Sequence, residues 1–172
     1  MKGFLNRRIL PRAFQSDERG SAFVELALAL PMLSIILLGA AEFARLAYAA
    51  IEVTNAAHAA AVYAATSVAN VTFDSGGNPQ ITTGMSNAAS ADSPNLVGGN
   101  AVSVTAVQTT CQCTDGTSVA CTDSSTCQGK STGMITTVTI TTRSTFSPLI
   151  SLPRWKPTFT LQGKSSQVME NQ

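Results

Sequence analysis

The feature that most constrains this chain is an uncharged apolar run near its N-terminus. Residues 26–41 read LALALPMLSIILLGAA. Residues 21–24 extend the run on its N-terminal side, and only Glu25 interrupts it. A helix needs about 20 such residues to cross the hydrocarbon core of a bilayer. We therefore expect a membrane-spanning helix at residues 21–44.

A short basic segment precedes the apolar run. Its charged residues are Lys2, Arg7, Arg8, Arg12 and Arg19, against Asp17 and Glu18. Pro11 argues against one continuous helix in this segment. Because basic residues beside a membrane segment stay on the cytoplasmic side, residues 1–20 are predicted to be a cytoplasmic leader. The chain after about Arg45 would then lie outside the cytoplasm.

The helical pattern continues past the apolar run. Residues 42–69 contain neither Gly nor Pro and are rich in Ala, the best helix former. Apolar residues recur there at steps of three and four, which gives one stripe on the helix: Leu46, Ala49, Val53, Ala56, Ala60 and Tyr63. Asn70 and the turn-forming residues 74–79 end the pattern. We expect one long helix over residues 21–69.

Residues 70–172 are rich in Thr, Ser, Gly and Asn and are predicted to form a β-rich domain. A short helix is expected at residues 82–91. Alternating patterns at residues 101–110, 132–146 and 158–167 predict three antiparallel strands. In the second of these, Val138, Ile140 and Phe146 would share one face. The expected class is α+β, with a sheet of about three strands beside the long helix.

All four cysteines fall within residues 111–127, with the spacing C-x-C-x7-C-x5-C. A zinc site usually takes two C-x2-4-C pairs, so this spacing fits metal poorly. Cysteines clustered in a polar domain outside the cytoplasm favour two disulfides among Cys111, Cys113, Cys121 and Cys127. Three connectivities are open. Cys111 and Cys113 would project from the same face of a strand, so pairing between them is disfavoured.

No catalytic or cofactor-binding pattern is found. The single histidine, His58, has no ligand at metal-binding spacing, and no nucleophile elbow or phosphate-binding loop is present. Charged residues make up 12% of the chain and the net charge is +1, which leaves no basic surplus for nucleic acid. We expect neither an enzyme nor a cofactor or metal.

The junction between leader and apolar run combines four features: a basic leader, Gly20, an apolar segment from Ser21, and Glu25 five residues after the glycine. Glycine lets a peptidase approach the backbone closely. A cut before the apolar run would keep that run as an anchor. A carboxylate at the start of a membrane helix is costly unless it is paired. Its natural partner in an assembly is the new α-amino group of a neighbouring subunit.

Residues 19 to about 66 resemble the N-terminal signature of TadE-like proteins, the minor pseudopilins of tight-adherence (Flp-type) pili. The matching positions are Gly20, Glu25, Pro31, Glu42-Phe43, Asn55-Ala56-Ala57 and Tyr63-Ala64-Ala65. The four-cysteine insert is not part of that signature. Residues 70–172 would then be a periplasmic domain that contains the cysteine loop 111–127.

The resemblance implies a pilin-like, single-pass protein of the bacterial inner membrane. It implies cleavage by a prepilin peptidase between Gly20 and Ser21. It also implies a role in pilus assembly, with other pilus and pseudopilin subunits and the assembly machinery as partners. The sequence leaves open whether the protein enters the fibre or stays in the membrane.

Two other interpretations remain. A secreted soluble protein would lose a signal peptide after the apolar run, for instance after Ala49. The apolar core at residues 26–41 is slightly long for that, and the helical pattern continues past the cut. A membrane-anchored enzyme would need chemistry that the sequence does not supply.

Overall fold

The computed structural model describes residues 18–121, 127, 133–149 and 157–169. Most of the expected basic leader, residues 1–17, lies outside these ranges. The chain divides into two compact units, Met1–Ala41 and Glu42–Gln172.

Helix α1 comprises Glu18–Ala65 and continues without a break through Pro31. The predicted helix spanned residues 21–69, so its C-terminal end was placed too late. Thr66 and Asn70 account for the earlier end. The Asn70 amide and the Thr66 hydroxyl donate to the carbonyl group of Tyr63, at 2.7 and 2.9 Å. Because these side chains satisfy a carbonyl group that the next helical turn would otherwise bond, the helix can end there.

A small layer of short elements follows α1. It consists of a 3-10 turn at Val68–Asn70, strand β1 at Thr72–Phe73, strand β2 at Pro79–Gln80 and helix α2 at Thr83–Ala91. The short helix expected at residues 82–91 is confirmed. Thr82 caps it, since its hydroxyl accepts from the N–H of Met85 at 3.3 Å. A second 3-10 turn, Gly98–Asn100, leads into the main sheet.

The main sheet is antiparallel and has four strands. They are β3 at Ser103–Cys113, β4 at Ser118–Val119, β5 at Met134–Phe146 and β6 at Phe159–Met169, in the order β4-β3-β5-β6. The three long strands are those expected from the sequence, and the α+β class is confirmed. The fourth strand has only two residues and was not predicted.

Strand β5 has one buried and one outward face. Its even-numbered residues from position 136 to position 146 are all buried, which confirms the predicted shared face of Val138, Ile140 and Phe146. Three of the buried residues are polar. Two of these donate to backbone carbonyl groups: Thr142 to Val53 at 2.8 Å, and Ser144 to Asn100. The third, Thr136, donates to the sulfur of Cys111 at 3.3 Å, so the burial of these three residues leaves none of their hydroxyl groups unpaired.

The second part of α1 packs on the sheet through small residues. The core contains Ala56, Ala60, Ala61 and Ala64 of α1 together with Val138, Ile140 and Met169 of the sheet. The helix backbone comes especially close at Gly163 of β6. A Cβ atom at Gly163 would lie 2.4 Å from the carbonyl oxygen of Val53. Only glycine fits at this position without a shift of the backbone.

We predict that Gly163→Ala destabilises the domain by about 1–3 kcal/mol, because the added methyl group overpacks a contact with backbone atoms. Urea unfolding of the full chain in detergent measures the change. Gly99→Ala is the matched control, since a Cβ atom at Gly99 meets nothing within 4 Å. Equal unfolding midpoints for wild type and Gly163→Ala would contradict the close approach.

Candidate functional site

The described part of the first unit is an apolar helix surface. Every side chain from residue 22 to residue 40 is exposed, including Phe23 at 73%, Leu28 at 71% and Ile35 at 71%. The helix is long and apolar enough to cross a membrane. A continuous apolar surface of this size needs lipid or a protein partner, because contact with water is unfavourable.

The residues of the predicted cleavage and assembly site lie in the first turns of α1. Gly20 and Ser21 are part of the helix. Glu25 follows one turn later with an exposed side chain. Its carboxylate makes no hydrogen bond or ion pair with the residues that the structure describes.

Pro31 interrupts the hydrogen bonding of α1 within the apolar segment. Proline has no N–H, so the carbonyl group of Ala27 lacks its usual helical donor. Three residues after the proline, the Ser34 hydroxyl donates to the carbonyl group of Leu30 at 2.8 Å. The apolar segment thus contains a backbone carbonyl group without its helical hydrogen bond.

Glu42 and Arg45 belong to the second unit and contact its sheet strands and loops. Arg45 donates to both carboxylate oxygens of Glu42, at 3.0 and 3.1 Å. The Arg45 guanidinium also lies 5.4 Å from the ring centroid of Phe146, and the N–H of Leu149 donates to Glu42 at 3.2 Å. These contacts tie α1 to the end of β5.

Two disulfides join the end of β3 to the segment that follows it. Cys111 bonds to Cys121 with a Cα–Cα distance of 5.1 Å, and Cys113 bonds to Cys127 with a distance of 5.6 Å. Disulfide bonding was expected, and the structure selects one of the three open connectivities. Cys111 and Cys113 lie on the same buried face of β3 and do not pair with each other.

We predict that unreduced protein purified from the membrane has no alkylatable thiol and that reduction exposes four. Mass spectrometry after alkylation counts them. Replacing the Cys113–Cys127 pair by serines should cost about 2–3 kcal/mol, because the denatured chain regains the entropy of a short loop. The far-ultraviolet signal of α1 should remain. Four alkylated thiols without reductant would refute the disulfides and the oxidising location they imply.

A cavity of about 460 Å³ lies in the second unit beside α1. Glu52 lines it and is only 5% exposed. One carboxylate oxygen of Glu52 accepts from the Asn95 amide at 2.6 Å, and the same amide lies 3.3 Å from the Tyr48 hydroxyl. The second oxygen, Oε2, is buried and has no hydrogen-bond partner among the described residues. The remaining lining includes Ala44, Ala49, Leu96 and Phe146.

Sequence reasoning missed Glu52, although a signal for it exists. Glu52 follows Ala49 and precedes Val53 and Ala56 in the chain. These three residues belong to the buried apolar stripe of α1. An acidic residue inside such a stripe is unusual, because a buried carboxylate is costly unless it is hydrogen-bonded. Its partner Asn95 is 43 positions away in the chain and follows α2, so periodicity could not identify it.

Asp74 and His58 do not form a site with other ionisable residues that the structure describes. Hydrogen bonds from Asn78, through its backbone N–H and its side chain, and from the Gly76 N–H lower the pKa of Asp74 below its ordinary value. These bonds shape the turn between β1 and β2. His58 is exposed on α1. Within the described part of the chain, no group of three or more His, Cys, Asp or Glu side chains could hold a metal ion.

Comparison with known proteins gives one match. Residues 20–72 match the family model described as TadE-like protein. The match covers α1 from Gly20 onward and extends to β1, so the resemblance seen in the sequence is confirmed for this segment. No curated protein and no solved structure matches the chain significantly.

Proposed function

We propose that this chain acts as a membrane-anchored pseudopilin in the assembly of Tad pili, because its residues 20–72 match the TadE-like family model. A prepilin peptidase would remove the leader between Gly20 and Ser21. Residues 21–44 would span the inner membrane once, and residues 70–172 would form a periplasmic domain. The partners would be other pilus and pseudopilin subunits and the assembly machinery.

The observation that carries this proposal is the overlap between the TadE-like segment and the exposed apolar helix. The family match begins at Gly20, directly before a segment whose described side chains are all exposed through residue 40. Such a surface can contact lipid and neighbouring helices at once. A cut before residue 21 would keep this surface in the mature protein.

The basic leader and the two disulfides both support this topology. The basic residues of the leader favour a cytoplasmic N-terminus. The two disulfides of the second unit are typical of an oxidising compartment, which supports a periplasmic location for that unit.

The secreted-protein interpretation fits the second unit less well. A signal peptidase cut after Ala49 would remove Glu42 and Arg45 from the folded unit. It would thereby abolish their ion pair and their contacts with Leu149 and Phe146. Retention of the whole helix preserves these contacts.

We predict that Gly20→Arg blocks maturation, because a large side chain excludes the peptidase from the scissile bond. Co-expression with a prepilin peptidase and a gel shift measure cleavage, and N-terminal sequencing locates it. Gly3→Arg is the control, since it adds the same charge to the leader away from the junction. A mature N-terminus at Ser21 supports the proposal. An N-terminus near residue 50, or normal processing of Gly20→Arg, refutes it.

We predict that Glu25→Ala inserts normally into the membrane but assembles fewer pili. Removing the charge makes the segment more apolar, so insertion should not suffer. Assembly should suffer because the α-amino group of a neighbouring subunit loses its partner. Membrane fractionation and pilus counts by electron microscopy separate the two steps. Asp92→Ala, which removes an exposed acid from the second unit, is the control. Wild-type pilus counts with Glu25→Ala would show that this acid has no role in assembly.

A further inference from the structure

The Glu52 cavity contains a buried acceptor that the described residues leave unused. Glu52 is held on one side, where its Oε1 accepts from Asn95 at 2.6 Å. Oε2 is shielded from solvent and has no partner among the described residues. A buried carboxylate oxygen without a donor costs free energy. A donor from another molecule that reaches Oε2 through a rotation of the Glu52 side chain would remove that cost.

The charge of the cavity favours a cation. Arg45 is the lining residue with a positive charge, and both of its hydrogen bonds to carboxylate go to Glu42. Its guanidinium is placed over the ring of Phe146. The pair of Glu42 and Arg45 is neutral overall, so Glu52 has no counter-charge among the lining residues.

The unused acceptor of Glu52, Oε2, suits an ammonium group better than a guanidinium group. Arginine binds carboxylates best through two parallel hydrogen bonds, which need both oxygens. Here Asn95 already occupies Oε1, so a single donor is required. An ammonium group is a compact point charge that can bond to one oxygen.

The walls of the cavity complement the stem of such a group. Ala44, Ala49, Leu96 and the ring of Phe146 provide apolar surface around the carboxylate. Lysine buries its methylene groups along apolar surface while its charged end finds a polar partner. From the carboxylate, its charge and these walls, we infer that the cavity receives a lysine side chain presented by a partner protein.

The probe for this test is Nα-acetyl-lysine N-methylamide, added to the full chain in detergent. Resonances of the Asn95 side-chain amide report binding by NMR. The norleucine analogue has the same stem without the ammonium group. We expect the lysine probe to bind roughly tenfold more tightly or better, since a hydrogen bond to a charged group is worth at least about that factor and the norleucine side chain offers no donor. Equal binding of the two probes, or no binding of either, overturns the inference.

Glu52→Gln tests the carboxylate directly. Glutamine keeps an oxygen acceptor for Asn95 and loses the charge, so we expect the preference for lysine over norleucine to disappear. Asp74→Asn is the matched control. It removes one negative charge outside the cavity and keeps an oxygen for the β1–β2 turn, so it should retain the preference. A preference that persists in Glu52→Gln also overturns the inference.

A further pair of substitutions tests whether the cation in the cavity comes from a partner protein or from this chain. Arg154 and Lys156 lie in residues 150–156, outside the described residues. If the lysine probe binds only after Arg154→Gln and Lys156→Gln, a cation of this chain already fills the cavity, and the partner is excluded. Because binding is measured on purified protein, the result is independent of whether the chain acts in pilus assembly.

Discussion

The second unit depends on the close approach of the α1 backbone to the sheet at Val53. Two residues of adjacent strands make this approach possible. Thr142 of β5 donates to the carbonyl group of Val53, and Gly163, its partner in β6, leaves room for that carbonyl group. With the helix axis held this close, the neighbouring helix positions can carry only small side chains. Ala56 and Ala60 are fully buried there. Alanine therefore serves this helix in two ways: it favours helix formation, and it is small enough for the close packing on the sheet.

The long elements of this fold could be predicted from the sequence because their signals are local. Strand β5 alternates strictly, and its buried face was identified correctly through Val138 and Ile140. The C-terminal end of α1 was predicted too late. It depends on hydrogen bonds from the Thr66 and Asn70 side chains to the carbonyl group of Tyr63, which compete with an otherwise continuous helical pattern. Strand β4 was missed because two residues are too few to show a period.

The disulfide connectivity needed the register of the sheet. Cys111 lies opposite Val119 in the β3–β4 pair, and Cys121 follows two positions later in the chain. The hairpin thereby brings Cys121 within disulfide range of Cys111, which leaves Cys113 for Cys127. Spacing along the chain restricts the choice to three connectivities. Pairing across a two-residue strand, which the sequence does not reveal, decides among them.

Glu25 and Glu52 lie on the same helix but in different surroundings. Glu25 stands among exposed apolar side chains, where a membrane would make an unpaired charge costly. Glu52 stands among buried residues of a folded unit, where half of its carboxylate is satisfied by Asn95. In both cases the described residues supply no cation. At either position an unpaired acid costs free energy unless a donor pairs with it.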